Sequence, residues 1–119
     1  MNRYLVKLVY QIICGDGRHT AQFDEQLRLL TAGDEEEALQ KARNIGTREE
    51  EAFYNNRRQL VQWKFINAVE LYAMADLHDG AEVFSQIKES DDAESYSRFL
   101  QHKAAGLRKR FSSLSPQTV

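Results

Sequence analysis

His78 and Asp79 with Glu82 offer an imidazole and two carboxylates within five positions, and Glu70 lies a short way upstream. That mix suits a divalent metal if three or four ligands converge. Glu70 could join them if the chain on either side of Asp79-Gly80 folds into paired strands. The same pairing would set Glu70 and Glu82 across from each other as two carboxylates for acid–base work. Each grouping has a plainer reading. A His-Asp-Gly sequence is ordinary turn polarity, and acids on strand surfaces commonly pair with cations, here Lys64, Arg28 or Lys88. Cys14 and His19 flank a loop, but a cysteine nucleophile needs its base within hydrogen-bond reach of the thiol. Otherwise Cys14 is a small apolar residue ending a strand. Gly15-Asp16-Gly17 lacks the length, the lysine and the following helix of a phosphate loop. Trp63, Glu70, Tyr72, His78 and Glu82 therefore stand as ligand-binding candidates. No catalytic residue, metal or cofactor is assigned, and an enzymatic role is the lesser expectation.

A second candidate chemistry is electrostatic. From Ser95 onward the chain holds Arg98, Lys103, Arg108, Lys109 and Arg110 and no acid, so residues 1 to 94 carry −7 of a net charge of −2. Five cations on one helix could bind nucleic-acid phosphates. The acidic remainder opposes that, and Tyr96, Phe99 and Phe111 fall on the apolar stripe rather than among the cations. The sequence points away from nucleic acid and toward a helix with a solvated basic face.

These residues need elements to position them. Arg3 to Cys14 alternates with period two, placing Tyr4, Val6, Leu8, Tyr10, Ile12 and Cys14 on one face of a strand. Gly15-Asp16-Gly17 breaks it, and Gln22 to Thr31 resumes extended structure with Phe23, Leu27 and Leu29 on one side, a hairpin partner. Asp34 with Glu37 matches a capping box, and Ala38, Leu39, Ala42 and Ile45 recur at helical spacing until Gly46 supplies a stop. Thr47 with Glu50 repeats the box, predicting a short second helix to about Asn56. Gln59 to Met74 is again period two, with Val61, Trp63, Phe65, Val69 and Leu71 on one face. Asn67 is its polar exception, and a bulge or bend is expected there. After the Asp79-Gly80 turn, Ala81 to Lys88 reads as a last strand. Asp91 with Glu94 then caps a terminal helix with Tyr96, Phe99, Leu100, Lys103, Leu107 and Phe111 on one stripe.

The order β-β-α-(α)-β-β-α predicts an α+β two-layer sandwich, a four-stranded mainly antiparallel sheet with helices packed on it. Residues 1–111 form one domain in this reading, with 112–119 a flexible tail. The second faces of the strands are not polar: Leu5 and Val9 in the first, Leu60, Ile66 and Tyr72 in the third. A sheet face so apolar is seldom left open to water. Those five residues are the interface candidates, covered by the extra helix or by a second subunit, and a homodimer or another protein partner is expected.

Tyr4-Leu5-Val6-Lys7-Leu8-Val9, Phe23-Asp24-Glu25-Gln26, Trp63-Lys64-Phe65-Ile66-Asn67 running into Glu70-Leu71-Tyr72, and Asp79-Gly80-Ala81-Glu82-Val83-Phe84-Ser85 resemble a small, mostly bacterial family known as domain of unknown function 4288. The resemblance covers residues 3 to about 100. It implies a compact α+β domain of about this length and no particular activity.

Composition is that of an ordinary globular protein, 42% hydrophobic and 29% charged. The single cysteine fits a reducing compartment, so the cytoplasm is the expected location. Met1 to Gly15 has the apolar content of an export signal, but Lys7 and Gln11 interrupt it and bulky Ile13 stands where cleavage needs a small residue. No stretch approaches the ~18 apolar residues of a membrane span, and no membrane association is expected.

Overall fold

The computed structural model describes residues 1–114, with side chains through Ser112. The chain divides into two compact units, Met1–Val83 and the part from Phe84 onward. The first holds strands β1 (Asn2–Cys14) and β2 (Gln22–Ala32), helix α1 (Glu35–Arg48), and strands β3 (Glu51–Tyr54) and β4 (Leu60–Met74). The second holds α2 (Ala93–Leu114). The expected tail over 112–119 lies outside the described residues from 115 on.

The sheet order is β2-β1-β4-β3, and every neighbouring pair is antiparallel. The fold is α+β, as the order of elements predicted. Tyr4, Val6, Leu8 and Tyr10 on β1 are buried with Leu30 and Ala32 of β2 and with Ala38 and Ala42 of α1. Ile45, Trp63, Phe65, Ala68 and Leu71 close around them. Burying four large side chains of one strand face against one helix is the main apolar gain of this unit. Ile12 and Cys14 share that face but are only half-buried.

Asp34 caps α1: its carboxylate accepts the Glu37 N–H at 2.8 Å, and the Glu37 carboxylate accepts the Gly33 N–H at 2.9 Å. Three acids in the first turn complement the helix dipole. The expected stop at Gly46 does not occur, since α1 continues to Arg48. Gly46 instead lets the helix approach the sheet, where any Cβ would collide with the Phe65 ring.

Two further expectations are corrected. The short helix expected to about Asn56 is the strand β3, paired with β4 from Glu51↔Trp63 to Tyr54↔Leu60. Ala52, Phe53 and Tyr54 are too few apolar residues to bury a helical face. Aromatic residues suit a sheet, and Phe53 stacks on Trp63 at 6.0 Å. Glu50 gives its carboxylate to the Phe65 N–H at 2.9 Å rather than to a cap. The Asn55 side chain accepts the N–H groups of Arg57 and Gln59, closing the β3–β4 turn with Arg58 at φ 60°. The strand expected over Ala81 to Lys88 does not form. The turn before it does, with Ala81 N–H donating to His78 O at 3.0 Å and Gly80 at φ 85°. β3 pairs with β4 only from Leu60 to Trp63, and residues 81–88 do not pair along the rest of that edge.

The bulge expected near Asn67 is present and is doubled. The β1–β4 register slips between Lys7 and Leu8 and again between Val9 and Tyr10. Each slip reverses which side chains face inward. Val61, Trp63 and Phe65 point to the core side, then Ala68, then Leu71, so Asn67 is turned outward. Val69, expected inward with them, is exposed.

In the second unit the cap of α2 is Asp92, one residue later than expected. Its carboxylate accepts the Ser95 N–H at 3.1 Å and the Ser95 hydroxyl at 2.7 Å, and these bonds hold its pKa below the ordinary value.

Candidate functional site

Residues directly opposite one another in antiparallel strands share a face, so the register defines the side of the sheet away from α1. Leu5 lies between Leu29 and Tyr72, Lys7 between Leu27 and Glu70, Val9 between Glu25 and Asn67, and Gln11 between Phe23 and Lys64. Phe23, Leu27 and Leu29 do share a side, as their spacing predicts, and it is this outer one. Phe23 is 51% and Leu29 52% exposed, and the bulges add Ile66 at 49% and Val69 at 53%. Of the interface candidates, Leu5 is buried beneath its neighbours, Val9, Leu60 and Tyr72 are half-buried, and Ile66 is exposed. A largely apolar surface thus runs across three strands.

A polar row crosses its middle. Lys7 Nζ bridges Glu25 Oε1 at 3.3 Å and Glu70 Oε2 at 3.2 Å, and the Tyr72 hydroxyl donates to the other oxygen of Glu70. Bonds from Tyr72 and then Lys7 hold the Glu70 carboxyl below its ordinary pKa. Glu70 and then Glu25 raise Lys7, and Glu70 raises Tyr72. Lys7 and Glu25 are the members that sequence reasoning missed. Their signal was available in the alternation, since both fall in phase with Leu5 and Val9 or with Phe23 and Leu27.

The remaining candidates are dispersed. Trp63 is on the α1 side of the sheet, where its indole N–H donates to Asp24 Oδ2 at 3.1 Å. Asp24 opens a ladder of side chains along β2, through Gln26 to Arg28, whose guanidinium binds both carboxylate oxygens of Glu49 at 2.7 and 2.8 Å. His78 and Glu82 lie in the segment after β4, and His78 Nδ1 contacts its neighbour's carbonyl, Asp79 O, at 2.8 Å. The hairpin that would have set Glu82 opposite Glu70 is absent. Among the described residues, no three His, Cys, Asp or Glu side chains converge as metal ligands would.

Cys14 and His19 meet, but not thiol to imidazole. His19 Nε2 accepts the backbone N–H of Cys14 at 3.0 Å while Nδ1 contacts Thr20 O at 2.8 Å. The Cys14 thiol instead contacts Gln59 Oε1 at 3.5 Å and Asn55 Nδ2 at 3.6 Å.

On α2, Arg98, Lys103, Arg108, Lys109 and Arg110 are exposed. Lys103 lies 5.3 Å from the Phe99 ring centroid and Arg110 lies 5.7 Å from that of Phe111. Phe99 and Phe111 are themselves exposed, unlike the buried stripe expected of them. Among the described residues, no helix is long and apolar enough to cross a membrane.

No curated protein and no solved structure matches this chain. A family model described as a domain of unknown function matches residues 3–85, ending close to the boundary between the two units. The chain belongs to that family, DUF4288.

Proposed function

We propose that the protein is a non-enzymatic interaction module that self-associates, with the open face of the β2-β1-β4 sheet as its contact surface. The observation that supports this most is the row of exposed apolar side chains opposite α1, namely Phe23, Leu27, Leu29, Ile66 and Val69. The helix expected as an alternative cover is the edge strand β3, and of the protein partners expected this reading takes a second copy as the occupant.

The size of the face agrees. The β1–β2 ladder from Asn2 to Ile12 is about 37 Å long and three strands span about 14 Å. Side-chain relief raises that projected area, on the order of 500 Å², toward the ~800 Å² per partner of a standard interface. The ion-paired row through Lys7 neutralises itself in part, which lowers the cost of stacking a second sheet on it at about 10 Å. A reducing, cytoplasmic setting suits the free Cys14.

Substituting Ile66→Lys or Tyr72→Lys places an ammonium on this face and should abolish association through it, read by sedimentation as a fall in mass. Unchanged association in both variants overturns the reading. A second reading, nucleic-acid binding by α2, is favoured by the exposed cation–aromatic pairs at Phe99 and Phe111. It predicts retention of single-stranded nucleic acid that added salt releases.

A further inference from the structure

The outer edge of β2 offers a different surface from the sheet face. Among the described strands β2 pairs only with β1, so one edge of Gln22–Ala32 has no strand beside it. The opposite edge is formed by four-residue β3 and, beyond Trp63, by β4, whose pairing with β1 slips twice. β2 contains no proline or glycine and pairs with β1 from Asn2↔Ala32 to Ile12↔Gln22 without a slip. Long, regular edges of this kind are where another strand adds.

We infer that β2 pairs with β2 of a second copy, antiparallel and centred on Gln26. A two-fold axis through such an edge places one residue opposite itself, because only then do facing side chains lie on the same side of the sheet. Centring on Asp24, Glu25 or Arg28 would oppose like charges. Centring on Leu27 would set Asp24 against Leu30 and Glu25 against Leu29. Centring on Gln26 sets Asp24 against Arg28 of the second copy, twice by symmetry, and Phe23 against Leu29; Glu25 meets Leu27, but Asp24 gains an ion pair that centring on Leu27 denies it. Gln26, an amide that both donates and accepts, meets itself. Asp24 engages Gln26 and Trp63 through Oδ2, which leaves Oδ1 for a partner. Both charges are already positioned, Asp24 by Trp63 and Arg28 by Glu49, so little ordering is lost on pairing. The pairing spans Gln22 to Leu30 and joins two sheets edge to edge.

The experiment is disulfide trapping in a Cys14→Ala background. Gln26→Cys should give a linked dimer under mild oxidation. Thr31→Cys should not, because in this register its two copies lie about 34 Å apart along the strands. Equal linking at both positions, or none at position 26, overturns the inference. Asp24→Arg should weaken association about tenfold by opposing two pairs of like charges, and adding Arg28→Asp should restore it. A folded double variant that stays as weak as the single one also overturns it. Gln26→Cys should still link when combined with Ile66→Lys, so failure of the edge and failure of the face are read separately.

Discussion

Gly46 faces Phe65 so closely that a Cβ built on the glycine would lie 2.3 Å from Phe65 Cε1. Helix α1 can rest on β4 only because that carbon is missing. Gly46→Ala should therefore destabilise the first unit by about 1–3 kcal/mol through overpacking, against a helix-propensity gain of about 1 kcal/mol. Gly106 on α2 has nothing within 4 Å of the same position. Gly106→Ala should increase helicity and stabilise. Thermal melts of both variants by circular dichroism check the opposite signs.

The same glycine's carbonyl accepts the hydroxyl of buried Tyr10 at 2.9 Å. Tyr10→Phe keeps the ring, which packs 5.5 Å from Phe65, and removes only the donor. The expected cost is about 1–3 kcal/mol, since the oxygen is left buried without that partner. A denaturant midpoint equal to wild type would mean that water reaches Gly46.

Acid should weaken the first unit through Glu70. Its folded pKa is lowered by Tyr72 and Lys7, so its contribution is present above the ordinary carboxylate pKa of about 4.3 and is lost as pH falls through the folded value. Glu70→Gln should flatten the acid limb of a stability–pH profile. At the alkaline end the sign reverses. Tyr72 is raised by Glu70, Lys7 by Glu70 and then Glu25, and Tyr10 by burial and then Glu49. Their contributions are complete below about pH 10 and fade as pH rises through the raised values. Denaturant titrations at stepped pH measure both limbs.

Much of this architecture was legible because the alternation of β1 and the spacing of α1 are strong local signals. Tyr4, Val6, Leu8 and Tyr10 declare one buried face, and Asp34 with Glu37 marks the start of the helix. Gly46 misled because glycine's two uses, ending a helix and admitting a neighbour, look alike until Phe65 is placed. Phe53 and Val83 misled because a local pattern does not say which segment pairs with which: β4 takes Glu51–Tyr54 at its start, and residues 81–88 pair with no strand. The site was half legible. Leu5, Val9 and Tyr72 signalled the outer face, but Lys7, Glu25 and Glu70 become one cluster only when β2 and β4 flank β1, which no local pattern specifies.

The central claim is that the open sheet face is covered by a second copy, and sedimentation equilibrium of the unmodified protein over a wide concentration range tests it most directly. An even multiple of the chain mass that falls in the Ile66→Lys variant, to no more than the edge-paired dimer, is the predicted result. A monomer at every concentration, with Phe23, Leu29 and Ile66 left in water, would contradict it.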